Sequence, residues 1–285
     1  MTPNTLILEG GLGNRMRVAA AALATARRTG YPIHTLWLSQ WGMPCRFDQL
    51  FLPPPLFERE GSGVSLFTLR DARSWERLVY ARSRAANLHL PRLVQHLLHR
   101  RIITSPQIYY LQRDGFDFDQ WFARGGGLIM AYRDFAAYTS DDLRLLFRPQ
   151  PAVQLLVEAL TARFTAHTIG CHIRRTDHQQ SISESPLELF TEAMDRELAQ
   201  NADTRFFLAT DDEATKAELL SRYGHERVLT ADFPATRQSA DGIRHALAEM
   251  LALAATSRVY GSAGSTFSQI ACQLGDIPLQ ILRKE

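Results

Sequence analysis

Short apolar runs alternate with longer amphipathic stretches along most of the chain. Thr5 to Leu8 is apolar, Glu9-Gly10-Gly11-Leu12-Gly13 breaks the run, and Met16 to Arg28 is alanine-rich at helical spacing before Gly30; Ile33 to Leu38 is apolar again. Strand, glycine loop, helix and strand in that order predict a βαβ opening, with Asn14 as N-cap and Gly30 as the helix stop. Such units build parallel sheets with helices on their faces.

From Trp41 to about Arg148 the periodicity weakens, and Pro53-Pro54-Pro55, Gly61-Ser62-Gly63 and Gly125-Gly126-Gly127 mark loops. Between them Arg82 to Arg101, rich in Leu, His and Arg, predicts a surface helix, with a membrane surface or an acceptor cleft as the alternatives for its basic amphipathic face. Regular alternation returns at Pro149-Gln150-Pro151, the predicted linker between domains 1–150 and 151–285. Beyond it, helices are predicted over 152–164, 186–200, 211–223, 242–255 and 268–274. Strands are predicted through His172 and over 205–209, 227–229, 259–260 and 278–282. This half reads as an α/β layer structure whose ligands belong at the carboxyl ends of its strands.

Composition adds exclusions. With 285 residues, 45% hydrophobic and 22% charged, the chain can bury two ordinary cores, and a net charge of +2 makes no global case for nucleic acid or membranes. Of the 32 basic residues 30 are Arg, a bias attributed to genome composition. Cys45, Cys171 and Cys272 are odd in number and far apart, which argues against a disulfide framework or structural zinc and for a reducing, cytoplasmic setting. No secretory signal and no apolar run of membrane-spanning length are read.

Candidate chemistry falls at four strand-to-helix junctions. Gly10-Gly11-Leu12-Gly13-Asn14 lets backbone approach a ligand and places a helix N-terminus behind it, but it is neither a dinucleotide fingerprint nor a Walker loop. His172-Ile173-Arg174-Arg175-Thr176-Asp177 puts two guanidinium groups at the end of a buried strand, where they ask for an anion such as a diphosphate. Thr210-Asp211-Asp212-Glu213 is read as a capping box of Thr210 with Glu213, with a divalent cation site as the alternative. Ser265-Thr266-Phe267-Ser268 offers amides and hydroxyls to a phosphate. Glu249, among Ala248, Met250 and Leu251, is a carboxylate able to accept from the N1 and N2 donors of guanine.

Together these stretches resemble the peptide motifs of the fucosyltransferase superfamily that makes α1,2 and α1,6 linkages and O-fucosylates proteins. Gly10 to Asn14 is similar to the GGLGNQMF form of the α1,2 enzymes, with Arg15 and Arg17 in place of Gln and Phe, and His172 to Asp177 is similar to the HxRRxD motif of the α1,6 enzymes. The resemblance covers the first 30 residues and most of 168–282.

It implies a GT-B architecture, two Rossmann-like domains facing across a cleft, with GDP-fucose on the C-terminal domain and a carbohydrate acceptor on the N-terminal side. The implied reaction inverts the anomeric carbon without a metal. Arg174 would take the charge growing on the β-phosphate, with Arg175 as second partner. Gly11, Gly13, Asn14, Asp211 and the Ser265, Thr266, Phe267, Ser268 loop would join the donor site. His172 would fix the loop, Asp177 would hold an arginine, and Glu249 would read guanine. Glu184 is the first candidate for the general base, ahead of Asp177, His178 and Glu9. Another nucleotide sugar, or a binding module without turnover, are the alternatives.

Overall fold

The structure, a computed structural model, describes residues 2–40, 42–58, 63–81, 90–176, 178–233 and 236–284. It divides into two compact units, Met1–Gln150 and Pro151–Glu285.

In the N-terminal unit the elements run β1 (Asn4–Leu8), α1 (Leu12–Thr29), β2 (Ile33–Trp37), β3 (Phe57–Glu58), β4 (Ser65–Asp71), α2 (Ser74–Tyr80), α3 (Leu90–Leu98), β5 (Arg101–Ile103), α4 (Ser105–Arg113), α5 (Phe118–Ala123), β6 (Gly127–Ala131) and α6 (Ser140–Leu146). The sheet order is β3-β4-β2-β1-β6-β5, parallel except for β3. Successive strands build outward from β1 through β2 to β4, and β6 then pairs on β1's other edge. The Gly10–Gly11 loop therefore leaves β1 where the strand order reverses, the usual ligand crevice of such sheets.

Three expectations change here. Helix α1 begins at Leu12 with Gly11 as N-cap, so Asn14 sits inside the first turn; Gly30 ends the helix in the left-handed region as predicted. Of the expected helix from Arg82 to Arg101, only Leu90–Leu98 is helical among the described residues; residues 82–89 lie outside them, and Arg101 opens a strand. Of the Gly125-Gly126-Gly127 loop, the last residue is strand. Gly125 and Gly126 adopt positive φ, whereas Gly127 opens β6 in pairing with Arg101, at a position where a side chain would run into the Trp121 indole at 2.2 Å.

The C-terminal unit runs α7 (Pro151–Thr161), β7 (Thr168–Ile173), α8 (Gln179–Glu184), α9 (Leu187–Gln200), β8 (Arg205–Thr210), α10 (Glu213–Tyr223), β9 (Val228–Thr230), α11 (Ala240–Ala254), β10 (Val259–Ser262), α12 (Thr266–Gly275) and β11 (Leu279–Leu282). All five strands are parallel, in the order β11-β10-β7-β8-β9. Every residue of β7 is buried, as expected of a central strand covered on both faces. Ile169, Cys171 and Ile173 pack with Phe190, Met194, Phe206 and Leu208 on one side. Gly170 faces the other, where a Cβ would meet Leu253, Thr256 and Val259. The order reverses between β7 and β10, so the residues after these two strands share the switch point.

Candidate active site

The carboxyl ends of β7, β8 and β10 gather the charged residues of the C-terminal unit. β7 ends at Ile173, and the next two residues are Arg174 and Arg175. The Arg174 guanidinium donates to the Asp211 carboxylate just beyond β8. Asp211 also accepts from the Arg175 amide at 2.7 Å and from the Thr176 hydroxyl at 2.6 Å. Arg174 and Asp211 are both largely buried, with side chains 8% and 16% exposed. Their pairing is thus a partly desolvated, charge-assisted contact, stronger than a surface ion pair. Asp211, placed by the sequence among the donor-binding residues, thus holds Arg174; Asp177, to which the same holding role was assigned, lies outside the described residues.

Behind Arg174 the backbone is stitched to β10. The Ser262 hydroxyl accepts from the Arg174 amide at 3.0 Å and lies 3.4 Å from the His172 carbonyl. Ser262 is fully buried, and the pairing of Gly261 with His172 sets it there. The His172 ring stacks on Phe267 of α12, with centroids 4.8 Å apart and planes 23° from parallel. Burial, then the charge of Arg174, push the His172 pKa down to about 3, with Arg237 acting in the same sense and Asp211 opposing. The imidazole is neutral at any working pH, and its Nδ1 is buried without a hydrogen-bond partner.

Arg175 carries the other orphan. One of its terminal nitrogens donates to the Ser185 carbonyl at 2.8 Å, while NH2 is buried with no partner. A buried guanidinium donor without an acceptor is costly, and an incoming anion would satisfy it. At the end of β10, Ser265 is the N-cap of α12 but its side chain makes no capping bond, and no acid occupies the first turn. Ser265 and Ser268 are buried, and Thr266 and Phe267 partly so.

The Thr210–Glu213 capping box is replaced by an Asp212 cap. Asp212 accepts from the Thr215 amide at 2.9 Å and the Thr215 hydroxyl at 2.6 Å, which holds its carboxyl below the usual range. Both acids of the pair are committed to protein partners, and no group of three or more possible metal ligands occurs among the described residues.

Glu249 lies on α11 and is partly buried. Burial raises its pKa to about 8, with Lys216 opposing and Glu213 and Asp211 adding to the rise. One turn earlier on the same face, His245 stacks against Phe233 with centroids 3.8 Å apart. Nothing in the sequence singled out that flat pair, because Phe233 reaches it from the loop after β9.

Two of the candidate bases, Glu184 and His178, belong to α8 and its N-cap. The Glu184 carboxylate accepts from Gln180 at 3.0 Å and lies 3.9 Å from Arg283. The His178 ring caps α8 by accepting from the Ser181 amide at 3.1 Å. The Ser181 hydroxyl donates to Ala263 at 2.6 Å and the Ala263 amide donates to Ser185 at 2.8 Å, tying α8 to the loop after β10.

In the N-terminal unit, Gly10 has φ +77° and a Cβ there would meet Asn14 Nδ2 at 2.8 Å, so the Asn14 side chain folds back over the loop. Gly13 is buried, whereas Gly11 faces open space. Arg15 is fully buried under the loop. It donates to the Gly10 carbonyl at 3.0 Å and the Leu38 carbonyl at 2.7 Å and lies over the Trp37 ring. Burial lowers its pKa to about 9, against Glu9 and Asp71, so it stays cationic and works as a brace. Glu9 is buried and accepts from the Ser105 hydroxyl.

No protein-family model and no curated protein matches the chain. Solved structures do. The NodZ alpha-1,6-fucosyltransferase of Bradyrhizobium, soaked with GDP-fucose, is 18% identical with a TM-score of 0.60, over 96% of this chain and 93% of NodZ. A variant of Arabidopsis thaliana FUT1 in complex with GDP is 17% identical with a TM-score of 0.62, over 100% of this chain and 72% of FUT1. POFUT1 in complex with GDP-fucose is 10% identical with a TM-score of 0.56, over 98% of both chains. At these identities the likeness is one of fold: the chain has the α/β fold of the GT-B fucosyltransferases.

Proposed function

We propose that this chain transfers a fucosyl group from GDP-fucose to a hydroxyl of a carbohydrate acceptor, with inversion at the anomeric carbon. The observation that carries this reading is the arginine pair at the switch point of the C-terminal sheet, where Asp211 orients Arg174 and Arg175 keeps a buried, unpaired donor. In the reaction the acceptor oxygen bonds to C1 as the bond from C1 to the β-phosphate oxygen breaks, and the electron pair leaves with GDP. Arg174 and Arg175 stabilise that charge, which is larger in the transition state than in the bound donor. Amides at the start of α12 and the Ser265 hydroxyl add further donors. Glu184 is engaged by Gln180 and Arg283. Passage of the acceptor's proton to the departing diphosphate spares the reaction a dedicated base.

Arginines take the leaving-group role that a metal fills elsewhere, since Asp211 and Asp212 are held by the arginine clamp and the α10 cap. Turnover is therefore expected to survive EDTA unchanged, and a strong loss would return those two acids to metal binding. The functional test is a transfer screen with labelled GDP-fucose, beside calorimetry with GDP, UDP and ADP. Preference for GDP with transfer supports the reading. Tight GDP binding with neither transfer nor hydrolysis favours a binding module, and preference for UDP removes Glu249 from base recognition.

Glu249 sets a pH dependence. Guanine's N1 and N2 donors need the carboxylate, and the free protein holds a proton on Glu249 up to about pH 8. GDP affinity is expected to rise with pH, by up to about tenfold per unit, and to level off above pH 8. Glu249→Gln should weaken binding and flatten that slope. The same substitution should raise stability, because a carboxyl whose folded pKa is raised costs stability from the unfolded pKa upward and most above the folded one. Equal slopes in the two proteins would exclude Glu249 from contact with the base.

A further inference from the structure

We propose that the outer face of α2 and α3 docks on an anionic lipid surface. The two helices pack against one another, and apart from Ser74 and His96 their exposed positions are apolar or arginine. Trp75 is 50% exposed, Leu78 80%, Leu93 57% and Leu97 77%. Arg73, Arg77, Arg92 and Arg100 are exposed beside them. The one acid on either helix, Glu76, is buried and paired through both oxygens with Arg70, at 2.7 and 2.8 Å.

Helix α3 is oriented against the usual rule for a core helix. Gln95 on the helix and His99 just after it are buried. Gln95 donates to the Val79 carbonyl at 2.7 Å, and His99 Nε2 bonds the Tyr80 hydroxyl at 2.7 Å. The leucines that would ordinarily bury the helix, Leu93 and Leu97, face outward one turn apart. A surface helix normally hides its apolar stripe; one that seats its polar groups inward and shows leucine and arginine to solvent has its partner elsewhere. Beneath the pair, Tyr80 and His99 border a cavity of about 260 Å³ with Thr5, His34 and Leu36, and Val79 and Tyr80 of α2 pack into the sheet's apolar cluster, so α2 is anchored while the leucines of α3 stay outside.

The charge on this face chooses the partner. Leucine and tryptophan among arginines, with no exposed acid on either helix, is the composition of an interfacial helix that buries its apolar side chains at the acyl boundary and pairs its cations with lipid phosphates. A protein groove would more usually meet such leucines with a polar rim of both signs. No helix among the described residues is long and apolar enough to cross a membrane, so the contact would be peripheral.

The test uses the full chain in vesicle co-sedimentation, with phosphatidylcholine alone and with about one-third phosphatidylglycerol added. Binding to the anionic vesicles and a blue shift of Trp75 emission, absent in Trp75→Phe, are expected. Raising salt from about 0.1 to about 0.5 M should weaken binding severalfold, and Leu93→Glu/Leu97→Glu should weaken it at least about tenfold. That double variant should bind GDP like the parent, which shows that it folds and separates this proposal from the donor assignment. No sedimentation with anionic vesicles, or equal sedimentation with neutral ones, overturns the proposal. So does a concentration-dependent dimer in light scattering that Leu93→Glu/Leu97→Glu abolishes, since the face would then join two copies.

Discussion

Replacing Arg174 by alanine is expected to lower kcat for transfer from GDP-fucose by about 10²-fold or more, the scale of losing one transition-state donor. The loss should appear in kcat more than in KM, because the charge that Arg174 meets grows as the sugar–phosphate bond breaks. Lysine at this position restores charge but not the fork, and Asp211 accepts a directed N–H of the Arg174 guanidinium. Arg174→Lys should therefore recover only a small part of the rate. Single-turnover kinetics with labelled donor would separate the chemical step from product release. Near-parental turnover in Arg174→Ala would remove the arginine from the mechanism.

Asp211→Asn is expected to damage both stability and rate. Removing one partner of a largely buried ion pair leaves the other charge uncompensated. The Asp211 carboxylate also receives the Arg175 amide and the Thr176 hydroxyl. A loss of about 3 kcal/mol, or roughly 6 to 12 °C in Tm, is expected for a pair in this setting. Activity should fall as well, because Asp211 acts by positioning Arg174. That route gives a signature a purely structural residue would lack. Adding Asp211→Asn to Arg174→Ala should cost little further rate, and the double variant should be more stable than Asp211→Asn alone, since it no longer buries an unpaired cation. Additive losses in rate would mean that Asp211 meets the donor directly.

Much of the C-terminal unit was legible in the sequence. The predicted alternation of helix and strand from Ala152 to Leu282 differs from the observed elements mainly at their ends, apart from α8, which was missed. Fully buried parallel strands such as β7 read as continuous apolar runs between amphipathic helices, and periodicity detects that contrast. The stretch from Trp41 to Arg148 was less legible for an equally physical reason. Its helices α2, α4, α5 and α6 span two to three turns at most, too short for a period to declare itself. Its strand β6 begins on the last of three glycines, a residue that pairs with Arg101 and lies against Trp121, neither of which is adjacent in the chain.

The sequence by itself determined which groups could meet an anion. Two adjacent arginines after an apolar run, a glycine loop opening a helix, and a hydroxyl-rich turn before another helix carry that chemistry wherever the chain takes them. Local pattern also placed each at a strand end, because hydrophobic period and turn residues are properties of neighbours in the chain. Which carboxylate orients which arginine was decided only by the tertiary structure. Asp211 is 37 residues from Arg174, yet β7 and β8 lie in register from Thr168 with Arg205 to Ile173 with Thr210. That pairing brings the residues after both strands together. The hydroxyl that holds the Arg174 amide, the phenyl ring against His172 and the unpaired donor of Arg175 depend on the same register and on the strand order β10-β7-β8. The burial that keeps His172 neutral and lifts Glu249 toward pH 8 is a property of the assembled layers. Desolvation requires neighbours from several elements at once, and spacing along the chain carries no measure of it.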